Sequence, residues 1–448
     1  MPMRLVAGHA LAFAGLLISA FAYAADKPIT LDARFAQPVM KAGEKQRNYV
    51  RVTLNGCKPE RKSDRTPVNV SVVIDRSGSM SGDRIAQARE AAIMAINRLD
   101  PNDVASVVIF DDKVDTLIPA QKVTDRKFFT DRIRQIGTRG STAIYAGVQQ
   151  GAGEVRKNID PKRLNRVVLL SDGLANVGPK DPLEFAQLGR DLLKEGISVS
   201  TIGLGADYNE NLMLQLAKAG DGNHAYAAAP DDLIKIFNKE FDDVLASCAQ
   251  TVSIDVDLAP GARVVRAVSR DGEIKPEHAK FRLNQVYQEA EHYVLIEVEV
   301  DGKPASAERD FGRVRVAYTV PTTGKQQTLD TAIRGRFSKS AEEAKASLDQ
   351  NVQEAVVEQN TRARAQMAVD LMNKGQREEA AKLFKENVEE INAYIANGGN
   401  RSANMQGLGQ SYSSYASTVS SAAPAAINDY SKALRARDLS TAGAKSKY

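Results

Sequence analysis

The sequence predicts an α/β fold, a doubly wound and mostly parallel sheet, joined to a β-sandwich-like domain and a C-terminal helical hairpin. Three observations lead to this prediction. Between residues 65 and 246, short apolar runs rich in β-branched residues alternate with segments of helical periodicity. From residue 247 to 338 the apolar residues recur at every second position, as in half-buried antiparallel strands. From residue 339 to 398 they return to helical spacing.

Length and charge limit the classes of protein to consider. A chain of 448 residues is too long for one hydrophobic core, so two or three domains are expected. The formal net charge of +4 is small, and no basic stripe interleaved with aromatic residues occurs. We therefore expect no nucleic-acid partner.

Residues 1–24 have the pattern of a signal peptide. Arg4 precedes an apolar run from Leu5 to Phe21, and Ala22-Tyr23-Ala24 matches a cleavage site of small residues. The apolar run is short for a spanning helix, so an uncleaved anchor is the less favoured alternative. We expect a mature chain that begins at residue 25, has no transmembrane segment and is located in the periplasm, with secretion or surface display as the alternative.

A β segment is predicted in residues 25–64. Tyr49 to Leu54 alternate between apolar and polar, Asn55-Gly56 ends the alternation, and Lys58 to Arg65 form a charged connector. Whether this segment joins the sandwich-like domain is left open by the sequence. If it does, the α/β domain is inserted into the sandwich.

Strands and helices alternate regularly within residues 65–246. The predicted strands are Val68–Ile74, Val104–Phe110, Arg166–Leu170, Ile197–Gly203 and His224–Ala227. The predicted helices are Arg84–Leu99, Lys127–Ile136, Ala143–Lys157, Pro182–Glu195, Asn209–Ala219 and Pro230–Leu245. Nearly continuous apolar strands are typical of a sheet that helices cover on both faces.

Oxygen-bearing side chains stand in three loops of this domain. Asp75, Ser77 and Ser79 alternate directly after the first strand. Thr142 precedes a helix, and Asp172 follows a later buried strand. Open α/β sheets bind ligands in loops at the carboxyl ends of their strands. Because no His or Cys accompanies these oxygen atoms, they favour a hard cation, Mg²⁺ or alternatively Mn²⁺ or Ca²⁺.

The motifs DRSGSM, GSTAIYAG and LLSDGLANVG together resemble the von Willebrand factor type A domain with its metal-ion-dependent adhesion site. The family pattern is Asp-x-Ser-x-Ser, a distant Thr and a distant Asp, and the residues named above match it in type and order. The resemblance implies a bound divalent metal and a protein partner that presents an Asp or Glu to it. A domain that kept the fold without the metal is the alternative. More distantly, the domain order is similar to inter-alpha-trypsin inhibitor heavy chains and calcium-activated chloride channel proteins.

Two residues of the first motif carry further expectations. Gly78 is expected to supply an unusual backbone dihedral angle in the tight loop. Arg76 is expected to pair with a nearby carboxylate, Asp111 or Asp112, and its alternative role is to guide anionic partners to the site.

We expect no catalytic residues and therefore no enzyme. The chain has neither an H-E-x-x-H nor a G-x-S-x-G motif, and His224 precedes a predicted strand, where a structural role is favoured. A metal-dependent hydrolase is one alternative. A metal-independent periplasmic scaffold or assembly factor that uses the helical hairpin is the other. The sequence identifies neither the partner nor the oligomeric state.

The two cysteines, Cys57 and Cys248, flank the α/β domain. Export would place them in an oxidising compartment, where a disulfide bond between them would join the two ends of that domain. Two buried thiols are the alternative.

The C-terminal third is predicted to be helical and then flexible. Two helices, Ala341–Asn373 and Arg377–Ala396, form the hairpin of residues 339–398, which we expect to pack against the sandwich. Residues 399–448 are rich in Gly, Ser, Asn and Ala, which predicts a flexible tail with a short helix at Ala425–Arg437.

Overall fold

The structure is a computed structural model that describes residues 28–56, 66–160, 162–172, 175–205, 210–227, 232–236, 238, 240, 246–421 and 444–446. The predicted signal peptide of residues 1–24, Cys57, the charged connector at 58–65 and the predicted short helix at 425–437 lie outside the described residues.

A six-stranded sheet forms the centre of the α/β domain, in the order β6-β5-β4-β7-β8-β9. Its strands are β4 (Val68–Asp75), β5 (Val104–Phe110), β6 (Val114–Lys122), β7 (Leu164–Ser171), β8 (Ile197–Leu204) and β9 (His224–Ala227). Neighbouring strands run parallel, apart from β6, which pairs antiparallel with β5. Every residue of β4, β5, β7 and β8 is buried. The predicted α/β fold is confirmed.

Helices cover both faces of this sheet. They are α1 (Asp83–Arg98), α2 (Arg126–Arg134), α3 (Ile144–Arg156), α4 (Pro182–Lys194) and α5 (Glu210–Ala219), and residues 232–236, 238 and 240 are also helical. Val72 and Ile74 of β4 belong to the core beneath α1 and α2, whereas Val73 belongs to the core beneath α3, α4 and α5. Because side chains alternate along a strand, β4 contributes to two hydrophobic cores.

Strand β6 is absent from the predicted elements. It is an edge strand in which Ile118 alone is fully buried, and Pro119 and several polar residues interrupt its apolar pattern. Edge strands bury one side at most, so the continuous apolar run that marks the central strands is missing here.

Two sheets form the β-sandwich, and all their strand pairs are antiparallel except β2 with β16. The first sheet contains β1 (Ile29–Phe35), β3 (Gln46–Gly56), β14 (Ala290–Val300) and β11 (Ala262–Ala267), with β17 (Ala444–Ser446) beside β14. The second contains β12 (Glu273–Lys275), β13 (His278–Tyr287), β10 (Ser247–Leu258), β15 (Arg309–Thr319), β16 (Gln326–Ser338) and β2 (Val39–Lys41). One core cluster joins their inner faces and includes Val52, Val256, Val298 and Val314.

The N-terminal strands belong to this sandwich. β3 pairs with β14 in continuous register from Gln46 opposite Val300 to Asn55 opposite Glu291. The chain therefore leaves the sandwich after β3, forms the α/β domain and returns to the sandwich at β10. The α/β domain is an insertion in the sandwich, which answers the question that the sequence leaves open.

Four helices follow the sandwich: α6 (Ala341–Ala346), α7 (Gln350–Asn373), α8 (Arg377–Ala396) and α9 (Ala403–Thr418). Val352 and Val356 of α7 pack against Tyr293 and Leu295 of β14, as expected for a hairpin that rests on the sandwich. In the described part of the chain, no helix is both long and apolar enough to cross a membrane.

The prediction of a flexible tail from residue 399 is wrong for α9. Met405, Leu408 and Tyr412 are buried in the core that α7 and α8 form, where the ring of Tyr412 stacks on Phe384 with centroids 6.0 Å apart. Ser402 caps the helix by accepting a hydrogen bond from the Met405 N–H at 3.2 Å. Many small and polar residues between these positions hide the apolar stripe in the sequence.

Candidate metal centre

The five predicted site residues lie at the carboxyl edge of the parallel strands. Asp75 is the last residue of β4, and Asp172 directly follows β7, its parallel neighbour. Ser77 and Ser79 stand at a single 3₁₀ turn between β4 and α1, and Thr142 lies just before α3. The fold therefore brings the three loops to one edge of the sheet.

Hydrogen bonds join each of these loops to the other two. Ser79 Oγ donates to Asp172 Oδ1 at 2.8 Å, which joins the first loop to the third. The Gly78 N–H donates to the Gly140 carbonyl at 3.1 Å, which joins the first loop to the second. The Thr142 N–H donates to Asn176 Oδ1 at 2.7 Å, which joins the second to the third. The loops therefore support one another as a closed set.

The site has a buried floor of carboxylates and an exposed rim. Asp75 and Asp172 are buried, whereas Ser79 is exposed. Ser79 Oγ lies 3.1 Å from Ser77 Oγ and donates to Asp172 Oδ1. The exposed hydroxyl group of Ser79 therefore contacts two buried side chains of the site.

Asp75 is held by two donors. The Ser77 N–H donates to its Oδ1 at 2.8 Å, and Ser171 Oγ donates to its Oδ2 at 2.5 Å. Burial raises the pKa of Asp75 to about 6, against the lowering effect of the hydrogen bonds from Ser171 and Ser77, and the charge of Asp172 adds to the increase.

Gly140, and not Gly78, has the unusual backbone angle. Its φ is +69°, and a methyl group built on it would lie 2.0 Å from Oδ1 of Asp112. Gly78 stands in the 3₁₀ turn, where a methyl group would meet the Gly140 carbonyl at an ordinary 3.6 Å. The expectation for Gly78 is wrong because the sharp turn is made by the loop that faces it.

Arg76 pairs with carboxylates beside the site. Its Nε lies 2.7 Å from Asp111 Oδ2, and its Nη2 lies 2.5 Å from Asp115 Oδ2. Arg139 contacts the same two carboxylates at 2.8 Å and 3.3 Å. Burial raises the pKa of Asp111, but the hydrogen bonds from Arg139 and the Lys113 N–H, with the charge of Arg76, outweigh it and lower the pKa to about 2. The predicted pairing with Asp111 is confirmed.

Three residues that the sequence does not single out also act at the site. Ser171 holds Asp75, and Asn176 accepts from the Thr142 N–H. Arg84 of α1 places its Nη1 2.5 Å from Asp172 Oδ2. Ser171 and Asn176 belong to the third motif, which is a signal for them, whereas the sole signal for Arg84 is its place in the first turn of the helix that follows the first motif.

The donor set fits a hard divalent cation. It consists of oxygen atoms alone, from two buried carboxylates and three hydroxyl residues, which is the chemistry of Mg²⁺, Mn²⁺ or Ca²⁺ sites. Within the described ranges, no group of three or more His, Cys, Asp or Glu residues is placed to hold a metal. His224 is buried, and its Nδ1 lies 2.8 Å from Thr201 Oγ1 on β8, which agrees with the structural role expected for it.

Cys248 is buried, with its Sγ 3.3 Å from the Val286 carbonyl oxygen. Its expected disulfide partner, Cys57, lies outside the described residues. The preceding residue, Gly56, lies beside Cys248, because a Cβ built on Gly56 would be 3.0 Å from that Sγ. The disulfide bond stays a prediction.

Comparison with known sequences gives a family for the α/β domain. The sequence model of the von Willebrand factor type A domain matches residues 69–239. An uncharacterized protein of Synechocystis sp., sll0103, is 24% identical over 72% of this chain and 78% of its own length. The uncharacterized Escherichia coli protein YfbK is 27% identical, and the match covers 53% of this chain and 41% of YfbK. Bovine inter-alpha-trypsin inhibitor heavy chain H4 is 30% identical, and the match covers 35% of this chain and 18% of H4. The chain therefore spans under a fifth of that relative.

Solved structures share the fold over most of the chain. A von Willebrand factor type A protein from Catenulispora acidiphila has a TM-score of 0.70 and 16% identity, covering 86% of this chain and 89% of its own. The ArnB paralog VWA2 from Sulfolobus acidocaldarius has a TM-score of 0.62 and 15% identity, covering 91% and 98%. At these identities the similarity concerns the fold, and it extends well beyond the matched domain.

Proposed function

Because residues 69–239 are a von Willebrand factor type A domain, we propose that this protein is an exported binding protein that grips a protein partner through a divalent metal. The observation that carries the proposal is the closed set of hydrogen bonds among the three loops, which gathers Ser79, Thr142 and Asp172 at one edge of the sheet, beside Asp75 at the end of β4.

Asp75, Ser77, Ser79, Thr142 and Asp172 are the residues that would hold the cation, with Mg²⁺ proposed and Mn²⁺ or Ca²⁺ as alternatives. When bound, such a cation offers an open coordination position to a carboxylate oxygen. Two hydrogen-bond donors hold the Asp75 carboxylate in position, and the Ser79 hydroxyl is exposed to solvent.

The partner is proposed to present an Asp or Glu to this rim. Leu183, in the first turn of α4, is 72% exposed. It stands at the same edge of the sheet, because α4 begins on the side where β7 ends. A partner with an acidic side chain surrounded by apolar groups would contact both the rim of the site and Leu183. Interface hot spots likewise combine a central anchor with apolar contacts that exclude water.

Export is proposed from residues 1–24, with the periplasm favoured over secretion or surface display. The check is the N-terminal sequence of the protein purified from the periplasmic fraction of cells that express the full gene. A start at Ala25 supports cleavage, and a start at Met1 or Pro2 contradicts it.

The test of the metal is a thermal unfolding series on the chain from residue 25. Wild type, Asp75→Ala and Asp191→Ala are compared in Mg²⁺, Mn²⁺ or Ca²⁺ and in chelator. A cation that binds the folded state alone stabilises it by about 2.7 kcal/mol at a hundredfold excess over its dissociation constant. We expect this gain in wild type and in the Asp191 control, whose exposed carboxylate pairs with Lys194 on its own helix, and not in Asp75→Ala.

The test of the partner chemistry uses an array of peptides with a central Asp or Glu and matched Asn or Gln versions. Binding of the acidic members in metal buffer that is lost in chelator and in Asp75→Ala supports the proposal. Equal binding in both buffers favours a metal-independent scaffold. Hydrolysis of a test ester or phosphate that depends on Asp75 favours a metal-dependent hydrolase.

A further inference from the structure

A cleft separate from the candidate metal centre lies between the type A domain and the sandwich. Its cavity volume is about 290 Å³. One wall comes from the C-terminal ends of α4 and α5, and the other comes from the sandwich between β11 and β13. Helices α4 and α5 each follow a parallel strand, so they begin at the carboxyl edge of the sheet and end at the opposite edge. The cleft is therefore at the far end of the domain from the candidate metal centre.

The cleft has an excess of positive charge. Three of its lining residues are acidic, namely Asp221, Asp271 and Glu273. Six are basic, namely Arg190, Lys194, Lys218, Arg270, Lys280 and Arg282. A concave surface lined mainly by one sign of charge concentrates ligands of the opposite sign.

Four of the six basic side chains pair with carboxylates of the protein itself. Arg270 lies 2.9 Å from an oxygen of Asp221, and Lys280 lies 3.2 Å from one of Asp255. Lys194 and Lys218 pair in the same way, at 2.9 Å with Asp191 and at 3.6 Å with Asp271.

Arg190 and Arg282 differ from the other four. Among the residues that the structure describes, neither guanidinium lies within salt-bridge distance of a carboxylate, and Arg190 donates to the side-chain oxygen of Gln187 at 2.8 Å. Arg190 belongs to α4 of the type A domain, whereas Arg282 belongs to β13 of the sandwich, so the two cations come from different walls of the cleft. Guanidinium groups match the planar, bidentate geometry of carboxylate and phosphate.

The rest of the lining is mainly apolar. Leu193 and Ala219 contribute to it, together with the methylene stems of the lysines. A ligand that fills the cleft therefore needs an anionic group and a carbon-rich body. We propose that this cleft binds an organic anion whose carboxylate or phosphate contacts Arg190 and Arg282 and whose apolar body packs on Leu193 and Ala219.

Such a ligand contacts both domains and is independent of the metal centre. It adds to contacts that already cross this junction, where Arg270 and the Asn284 N–H of the sandwich bond to Asp221 of the type A domain. Binding at the cleft stabilises the two domains together and does not require a divalent cation.

The experiment is calorimetric titration of the chain from residue 25, in chelator, with five probes. Octanoate and octyl phosphate carry both parts of the ligand, acetate and inorganic phosphate carry the anionic group alone, and octanol carries the apolar body alone. We expect one or both of the two-part probes to bind about tenfold more tightly than its head group and than octanol, a difference of about 1.4 kcal/mol. Whichever of octanoate and octyl phosphate binds more tightly shows whether the anionic group of the ligand is a carboxylate or a phosphate.

Three variants locate the binding. Arg190→Ala and Arg282→Ala should each weaken the two-part probe about tenfold, because each removes one guanidinium from the anion. Both side chains are exposed, so the fold should tolerate their loss, and an unchanged unfolding temperature without ligand verifies this. The control is Lys275→Ala, which removes an exposed cation of the adjacent strand β12 outside the lining.

Three outcomes overturn the proposal. The first is a two-part probe that binds no more tightly than acetate, phosphate or octanol. The second is wild-type affinity in both arginine variants. The third is an equal loss of affinity in Lys275→Ala, which would show a general charge effect. Because every titration is done in chelator, none of these outcomes bears on the metal-dependent function.

Discussion

Asp172 contacts two partners that act in opposite ways on a bound cation. Its Oδ1 accepts from Ser79 Oγ, a hydroxyl that would share the cation, whereas its Oδ2 lies 2.5 Å from Nη1 of Arg84. A fixed positive charge so close to the donor atoms opposes a divalent cation through Coulomb repulsion. Arg84 would therefore limit the affinity of the proposed site for a divalent cation.

We predict that Arg84→Gln increases the affinity for Mg²⁺ about tenfold, which corresponds to about 1.4 kcal/mol of relieved repulsion. The measurement is the thermal shift of the chain as a function of Mg²⁺ concentration. Arg89→Gln is the matched control, because Arg89 lies on the same helix and its guanidinium donates to the carbonyl groups of Ile85 and Arg134. A weaker affinity in Arg84→Gln would show instead that Arg84 is needed to position Asp172.

The candidate ligands could be predicted from sequence, whereas the contacts of their supporting residues could not. Asp75 and Asp172 stand directly at the ends of apolar strands, so their position at one edge follows from the strand pattern and from the motif. The contact of Ser171 with Asp75 and that of Arg84 with Asp172 join segments far apart in the chain. Such contacts depend on how two loops fold over each other, which local periodicity does not report.

His292 makes stability depend on pH. Burial lowers its pKa to about 3, and the charge of Arg270 adds to the effect. An unfolded histidine has a pKa of about 6.5, so between these values the unfolded state binds more protons than the folded state. Stability is therefore fully present above about pH 6.5 and decreases as the pH falls toward 3.

The variant His292→Gln should reduce this pH dependence. We expect the unfolding temperature of wild type to decrease more than that of the variant between about pH 7 and about pH 4. The glutamine oxygen can still accept the Tyr287 N–H, which now donates to His292 Nε2 at 3.3 Å. Equal slopes for the two proteins would exclude His292 as the titrating group.

At the scale of elements, strand β7 is joined to several neighbours by one side chain. Arg166 is fully buried and donates to Ser198 Oγ at 2.9 Å on β8. It forms an ion pair with Glu240, and it donates to Gln285 Oε1 at 3.3 Å and Tyr287 OH at 3.1 Å on β13 of the sandwich. The carboxylate and the phenol favour its protonated form and raise its pKa, against the effect of burial. One guanidinium thus links the sheet, the last helical segment of the domain and the sandwich.

We predict that Arg166→Met lowers the free energy of unfolding by about 3–5 kcal/mol, because it leaves Glu240 buried without its cation. Urea unfolding measures the change. The double variant with Glu240→Gln should regain part of the loss, since the buried charge is then absent. Arg163→Met is the control, as Arg163 is a half-buried arginine beside β7 that donates to the Asn102 carbonyl. An equal loss in the single and double variants would contradict this account.

The elements that the sequence predicts are those with one clear period. The central strands and α1 to α5 have continuous apolar runs or wide apolar faces, and their existence follows from these patterns. Strand β6 and helix α9 bury few side chains among many polar or small ones, and tertiary contacts stabilise both. Membership of β3 in the sandwich depends on pairing with β14, a partner distant in sequence.

At the scale of the whole molecule, the two chain crossings between the domains lie close together. Gly56, at the end of β3, is next to Cys248, at the start of β10. This neighbourhood supports the predicted Cys57–Cys248 disulfide, which on the chain-entropy model stabilises by up to about 5 kcal/mol because the loop it closes is long.

The prediction is tested on protein purified from the periplasm. We expect an intact mass smaller by two hydrogen atoms than that of the reduced protein, and a lower unfolding temperature after reduction. Cys57→Ser with Cys248→Ser should unfold at the temperature of the reduced wild type and should not respond to reductant. An unreduced protein whose thiols both react with an alkylating reagent under denaturing conditions would exclude the bond.

The insertion also orders the steps by which the chain becomes structured during synthesis. All six strands of the α/β sheet lie within one continuous stretch, so that domain can fold as soon as the stretch has emerged. Strand β3 can pair with β14 only later, because the residues of β14 follow the whole inserted domain in the sequence. Until then β3 has β1 on one side, and its other side is an unpaired edge that is open to non-native pairing. The loops of the candidate metal centre are therefore assembled before the sandwich that carries them.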